Sequence, residues 1–416
     1  MWKLTKVAAV AAVLAAAVAA HAGEVEVLHY WTSGGEAKSA AELKKMMQAK
    51  GHTWRDFAVA GGGGDSAMTV LKSRVISGNP PSAAQVKGPA IQEWASEGVL
   101  GNMDALAKSE KWDEALPKVV ADVMKYKGNY VAAPVNVHRV NWIWASSDAL
   151  KKAGVAAMPK TWDEFFAAAD KLKAAGLIPV AHGGQNWQDF TTFESVVLGV
   201  GGPKFYQDAL VKLDDKALTS DTMKKSLETF RRIKTYTDPG APGRDWNLAT
   251  AMLIQGKAGF QLMGDWAKGE FIAAGKAPGK DFMCAAAPGT ANAFTFNVDS
   301  FILFKLKDAA AQKAQSDLAS AIMSPGFQEV FNLNKGSIPV RAGQSMDKFD
   351  DCAKASAKDF ADTAKSGGLV PSVAHGMAIA PATEGAIKDA VSQFWNDDKV
   401  SVADAMKKIA AAAKTK

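Results

Sequence analysis

A chain of 416 residues with 48% apolar and 22% charged side chains has the balance of a globular protein and is too long for one compact core. Its net charge of +6 comes from 49 basic and 43 acidic residues, and no run of five Lys or Arg occurs. A nucleic-acid surface and a polybasic membrane patch are therefore excluded.

The chain opens on a leader. Lys3 and Lys6 precede an unbroken apolar run over 7–20, and Ala20-His21-Ala22 has the small-x-small pattern of a signal-peptidase site. The run is too short to span a bilayer, and no second one follows. Cleavage is expected near Ala22, leaving a chain that starts near Gly23 outside the cytoplasmic membrane. No Cys stands at that site, so a free rather than lipid-anchored form is expected.

Residues 25–30 alternate as a first strand, a glycine turn covers 33–35, and a helix is predicted over 36–50. Strand 54–59 and a tight loop at 61–64 follow, then a helix over 67–76 capped by Asp65 or Ser66. Asn79-Pro80-Pro81 stops it before strand 84–87 and helix 91–97. Three strand–helix units in succession predict a parallel sheet with helical crossovers.

An extended run over 130–137 leads to Trp142–Trp144 and a short helix over 148–153 stopped by Gly154. Thr161 and Glu164 form a capping-box start to a helix reaching 175, followed by strand 176–181. The stretch to 274 reads as mostly helical. A single strong strand is predicted over 294–304, carrying Asn297 and Asp299. Helices follow over 309–322, 327–333, 353–364, 384–395 and 402–413.

The two cysteines, Cys284 and Cys352, are expected to pair in an oxidising compartment. Closing a loop of about 70 residues stabilises by about 4 kcal/mol in the chain-entropy model.

No HExxH, GxSxG or GxxxxGK[ST] motif occurs, and the six His are not spaced as metal pairs. No cofactor and no metal are expected. The loop Gly61-Gly-Gly-Gly-Asp-Ser66 lacks the Lys of a phosphate cradle and reads as a strand-to-helix turn whose backbone approaches a neighbour. The chain does hold 12 Trp, several beside polar residues: Tyr30-Trp31 near Glu36, Gln185-Asn186-Trp187, and Asp265-Trp266-Ala-Lys268. An indole face matches the C–H face of a pyranose, while carboxylates, amides and Lys satisfy its hydroxyls. A buried hydroxyl without a partner costs about 1–3 kcal/mol, so a sugar site needs many polar groups. Taken singly, each Trp reads equally as core.

Several runs resemble the solute-binding proteins of ABC sugar importers, and most closely their periplasmic glucose-binding members. They include Val27-Leu-His-Tyr-Trp-Thr-Ser-Gly-Gly-Glu36, Gln85-Val-Lys-Gly-Pro89 and Pro134-Val-Asn-Val-His-Arg-Val-Asn-Trp142. Met263-Gly-Asp-Trp266, Asn297-Val-Asp-Ser300, Asn334-Lys-Gly-Ser-Ile-Pro-Val340 and Ser372-Val-Ala-His375 carry the likeness to the far end of the chain. The resemblance implies an α/β, two-lobed periplasmic binding protein fold, with parallel-rich sheets and helical crossovers. The lobes would be 23–134 with 300–338, and 135–299 with 339–416, joined by hinge strands near 133–138, 297–304 and Pro339.

It also implies a sugar clamped in the cleft. Trp31 and Trp266 would be stacking platforms, and Glu36, Lys87, Asn297, Asp299, Lys335 and His375 would bind hydroxyls. Tyr30 stands where the resemblance leads one to expect Trp, which keeps an aromatic face and adds a hydroxyl. Gln185, Trp187 and His138 are further candidates. The implied protein is a monomeric receptor with no chemistry of its own, loaded with a monosaccharide, glucose first, and docking on a membrane permease. Galactose, mannose or a disaccharide are the alternative ligands, and a glycosidase the alternative class; its two carboxylates would stand about 5–10 Å apart.

Overall fold

In the computed structural model, residues 22–415 are described. The expected leader lies outside them, apart from Ala22. The first three strands, Glu24–His29, Thr53–Ala58 and Ala83–Val86, pair in parallel, as alternation of strand and helix requires. Helices Gly34–Ala49 and Asp65–Ile76 are their crossovers. Two later returns, Ala132–Pro134 and Ser300–Leu303, extend this sheet, with Ser300–Leu303 antiparallel to both its neighbours. The five-stranded order is Thr53–Ala58, Glu24–His29, Ala83–Val86, Ser300–Leu303, Ala132–Pro134. The sheets are thus mixed, and parallel pairing dominates only at the start.

A second sheet of four strands is built in the order Phe282–Ala286, Trp142–Ser146, Ala258–Leu262, Ile178–Val180. Two of these, Ala258–Leu262 and Phe282–Ala286, lie at the end of, or just after, the stretch expected to be mostly helical. A fully buried strand loses the two-residue alternation, and AGFQL, buried throughout, shows none. Each sheet has its own apolar core. Val25, Leu71, Phe301 and Phe331 are central to one; Phe165, Phe193, Phe230 and Phe394 are central to the other.

Between the lobes lies a small sheet of Leu369–Pro371, Phe294–Asn297 and His138–Arg139. The run 294–304, expected as one strand, is therefore two. Phe294–Asn297 belongs to this central sheet and Ser300–Leu303 to the first lobe. The step between them is pinned at Asp299. Its carbonyl accepts from Val135 N–H at 2.7 Å, and its N–H donates to Asn136 Oδ1 at 3.1 Å.

Helix Asp65–Ile76 starts on Gly64, not on Asp65 or Ser66, because the capping position has φ +115°, which favours glycine. Thr161 and Glu164 do exchange the two bonds of a capping box, at 3.2 and 3.3 Å. Cys284 and Cys352 form a disulfide that ties helix Asp351–Ser366 to strand Phe282–Ala286. That helix bridges the lobes. Ala353 and Phe360 pack in the first core, although the expected division assigned 339–416 to the second lobe, because the third crossing lays this segment along the seam. No described helix is long and apolar enough to cross a membrane.

Candidate ligand-binding cleft

A cavity of about 350 Å³ opens between the two lobes. The ten residues singled out above (Tyr30, Trp31, Glu36, Lys87, Gln185, Trp266, Asn297, Asp299, Lys335 and His375) all line it, and so do His138 and Trp187. Their convergence follows from topology. Tyr30 and Trp31 follow strand Glu24–His29, Lys87 follows Ala83–Val86, and Asn297 ends its strand. In open α/β sheets the carboxyl ends of strands face the ligand crevice. Helices supply the rest: Glu36 from the first turn of Gly34–Ala49 and Lys335 from the last residue of Pro325–Lys335.

The two indoles are more deeply set than bare platforms. Trp31 is 2% exposed and packs on Phe301 and Phe331, at centroid distances of 5.5 and 5.0 Å. Trp266 is 6% exposed and stands between the rings of His138 and His375, at 5.2 and 4.8 Å. Gly264 makes room for it: a Cβ there would lie 2.1 Å from the indole. Trp187 is held by its Nε1–H, which donates to Gln185 Oε1 at 2.7 Å. Gln185 in turn donates to Asp245 at 2.6 Å, so it steadies the wall.

The polar groups are fixed in advance. His138 lies between two carboxylates, bonding Asp265 through Nδ1 and Asp299 through Nε2 at 3.0 Å. Burial opposes the charge on this ring, but the two carboxylates outweigh it and hold the imidazole above its ordinary pKa. Asp299 also receives the amides of Gln85 and Asn136, at 3.1 and 3.2 Å. Burial alone would raise its pKa; His138, Lys87 and Lys335 hold it well below the carboxylate range. Glu36 and Lys335 pair at 2.7 Å across the floor.

His375 has the opposite character. Burial, then the charges of Lys87 and Lys388, push its pKa well below the ordinary value, so the ring is neutral. The Thr191 hydroxyl donates to Trp187 O at 2.8 Å and therefore accepts from His375 Nε2 at 2.9 Å. That leaves Nδ1 as the free acceptor of the ring. Burial, then Asp299, raise Tyr30 well above its ordinary pKa, so it is a neutral phenol. Lys87 lies 5.5 Å over the Tyr30 ring, with its pKa lowered by burial, and makes no salt bridge among the described residues. Asn297 Oδ1 is buried with no hydrogen-bond partner among the described residues. A buried acceptor left open in this way is costly unless a ligand completes it.

Sequence reasoning missed several contributors. Asp245, Trp246 and Asn247 line the mouth, and the signal of Trp beside polar residues applies to them too. The glycine loop also lines it. Gly63, at φ +62°, lies so close to Trp187 that a Cβ would meet the indole at 3.0 Å. No group of three or more His, Cys, Asp or Glu fit to hold a metal occurs among the described residues.

Two α/β lobes around a buried polar and aromatic cleft define a ligand-binding protein of the two-lobed type. Residues 33–320 match the family of bacterial extracellular solute-binding proteins, and the chain belongs to it. It is 48% identical over 420 residues to a probable sugar-binding periplasmic protein of Brucella suis, covering 99% of both chains. The fold resembles a chitin oligosaccharide binding protein (TM-score 0.78, 18% identity, 94% of this chain and 98% of that one). It also resembles the bacterial solute receptor AcbH, described as having an exclusive preference for β-D-galactopyranose (TM-score 0.76, 19% identity, 94% and 98%). The chain is a binding protein and not an enzyme.

Proposed function

We propose that this protein is a periplasmic receptor for a monosaccharide, glucose first, which it delivers to an ABC-type importer. The observation that carries this reading is one cavity of about 350 Å³ that joins indole faces to Asp299, Asn297, His375 and Lys87. Trp31 and Trp266 offer apolar faces to the ring. Asp299 and His375 Nδ1 accept from hydroxyls, Lys87 donates, and Asn297 completes its open carbonyl. Glu36 and Lys335, already paired, add polar contacts at the floor.

Lobe closure is the working motion. The proposed lobes are 23–134 with 300–338 and 135–299 with 339–416, except that helix Asp351–Ser366 bridges the two. They turn about the crossings near 134–138 and 297–300 and the bridge Val137–Ile338, whose N–H and C=O groups pair reciprocally at 2.9 and 3.1 Å. A sugar touching both lobes favours the closed population, and the loaded monomer then meets the membrane permease. Micromolar affinity needs about 8 kcal/mol. Over about twelve heavy atoms that is roughly 0.7 kcal/mol per atom, within reach of a small ligand.

Titration calorimetry against glucose, galactose and maltose tests the reading. Glucose binding in the micromolar range or tighter supports it. A preference for galactose or maltose keeps the receptor and corrects the sugar; heat with none of a wider hexose and pentose panel overturns it.

A further inference from the structure

Glu194 is fully buried, has no cation within ion-pair distance among the described residues, and does not line the cleft. Its carboxylate nevertheless collects four donors. The Ser372 hydroxyl lies 2.6 Å away and the Tyr206 hydroxyl 2.8 Å away. The N–H groups of Val373 and Ala374 donate from 2.9 and 3.1 Å. Three of these donors belong to the segment that leads directly into His375. Burying a carboxylate against neutral donors alone is expensive: burial pushes the Glu194 pKa up to about 7, against the pull of all four hydrogen bonds.

The placement along the helix gives the reason. Trp187, Thr191 and Glu194 occupy one face of helix Asn186–Tyr206 on successive turns. Trp187 and His375 both line the cleft, and their rings meet edge to face at 5.7 Å. Thr191 fixes the ring of His375, and Glu194 fixes the backbone that carries it. The same segment is anchored on its other side, where Ser372 N–H donates to Phe296 O at 2.9 Å, next to Asn297.

We infer that Glu194 is a positioning residue of the cleft, a template that shapes residues 372–374 so that His375 presents a free acceptor to the ligand. This rests on the receptor reading above. It adds a residue that acts only through His375.

The test uses the full mature chain and glucose as probe. Glu194→Gln turns an acceptor oxygen into an N–H₂ group facing backbone donors. The variant is expected to stay folded by circular dichroism at 25 °C and to bind glucose about tenfold more weakly. In a His375→Ala background the same change is expected to alter affinity by less than about twofold, because the two residues are coupled. Ser372→Ala, which removes one donor and leaves the carboxylate, gives the same pattern at smaller size if Glu194→Gln fails to fold. Nitrogen NMR supplies a readout without sugar. The wild-type His375 ring is expected to hold one tautomer with the proton on Nε2, and Glu194→Gln is expected to let the two tautomers average.

An equal loss with and without His375, no loss at all, or unchanged His375 ring signals would overturn the inference. A wild-type chain that ignores glucose counts against the sugar proposed above, and the His375 spectrum still decides this one.

Discussion

Asp299 meets four demands with one side chain. It balances His138, accepts two amides, faces the cavity and stands at the step between two sheets. Removing it outright leaves His138 with Asp265 alone and takes the acceptor from the buried amides of Gln85 and Asn136, at about 1–3 kcal/mol for each unsatisfied group. Asp299→Asn keeps the shape and loses the charge, and calorimetry is expected to show glucose affinity reduced at least tenfold in a folded protein. Trp31→Ala empties part of the first core, at about 3–5 kcal/mol of stability as well as affinity. Trp31→Phe separates the two: a small change in chemical denaturation and a clear loss of binding. Equal affinity in Asp299→Asn and Trp31→Phe would remove both residues from the site. At this scale the sequence named residues that the fold brings to one cavity. Trp31 and Trp266 stood out as aromatics beside polar residues, and Asp299 entered through the family resemblance. Gln85, Asn136 and Thr191, which orient those groups, did not, because a hydrogen-bond partner far along the chain leaves no local pattern.

Elements were legible wherever one face meets water. Helix Asp351–Ser366 and helix Val402–Ala412 alternate buried and exposed positions, and each lies within two residues of its expected bounds. Ala258–Leu262 was not found, since burial on both faces erases the period. The run 294–304 was found but read as one strand, since nothing in its apolar pattern marks the change of sheet at Val298-Asp299. The glycine loop belongs to this scale too. Gly63 faces Trp187 from across the cleft, and Asp65 stands 3.4 Å from Lys388 of the second lobe. Gly63→Val has neither the φ angle nor the space, so stopped-flow fluorescence is expected to show sugar leaving about tenfold faster. The Asp65–Lys388 pair is mostly exposed on the Asp65 side, and its contribution is correspondingly small and salt-sensitive.

For the molecule as a whole, two features set its limits. The Cys284–Cys352 bond fastens the bridging helix to the second sheet. Cys352→Ser is expected to lower stability by about 2–4 kcal/mol and to leave glucose affinity unchanged; a lost affinity in a folded variant would place the bond within the site's support. The second is the buried group of Asp265, His138 and Asp299. The pKa of Asp299 is lowered from 3.8, so its stabilisation is full above that value and lost as pH falls through the depressed one. The pKa of His138 is raised from 6.5, so its stabilisation is full below that value and lost as pH rises through the elevated one. The share of this group is therefore full between about pH 4 and 6.5, and melting temperatures are expected to fall toward alkaline pH as it is lost, while the depressed pKa of His375 subtracts stability as pH falls below 6.5. His138→Gln should flatten the alkaline fall, and an unchanged slope would show that other groups govern it.

Val298 and Asp299 join a strand of the central sheet to a strand of the first sheet, and the same stretch carries the carboxylate that faces the cavity. On the receptor reading proposed above, guest and fulcrum share a residue. On that reading, a molecule of a dozen atoms lodged there needs no long relay to swing two large masses, because it presses on the axle itself.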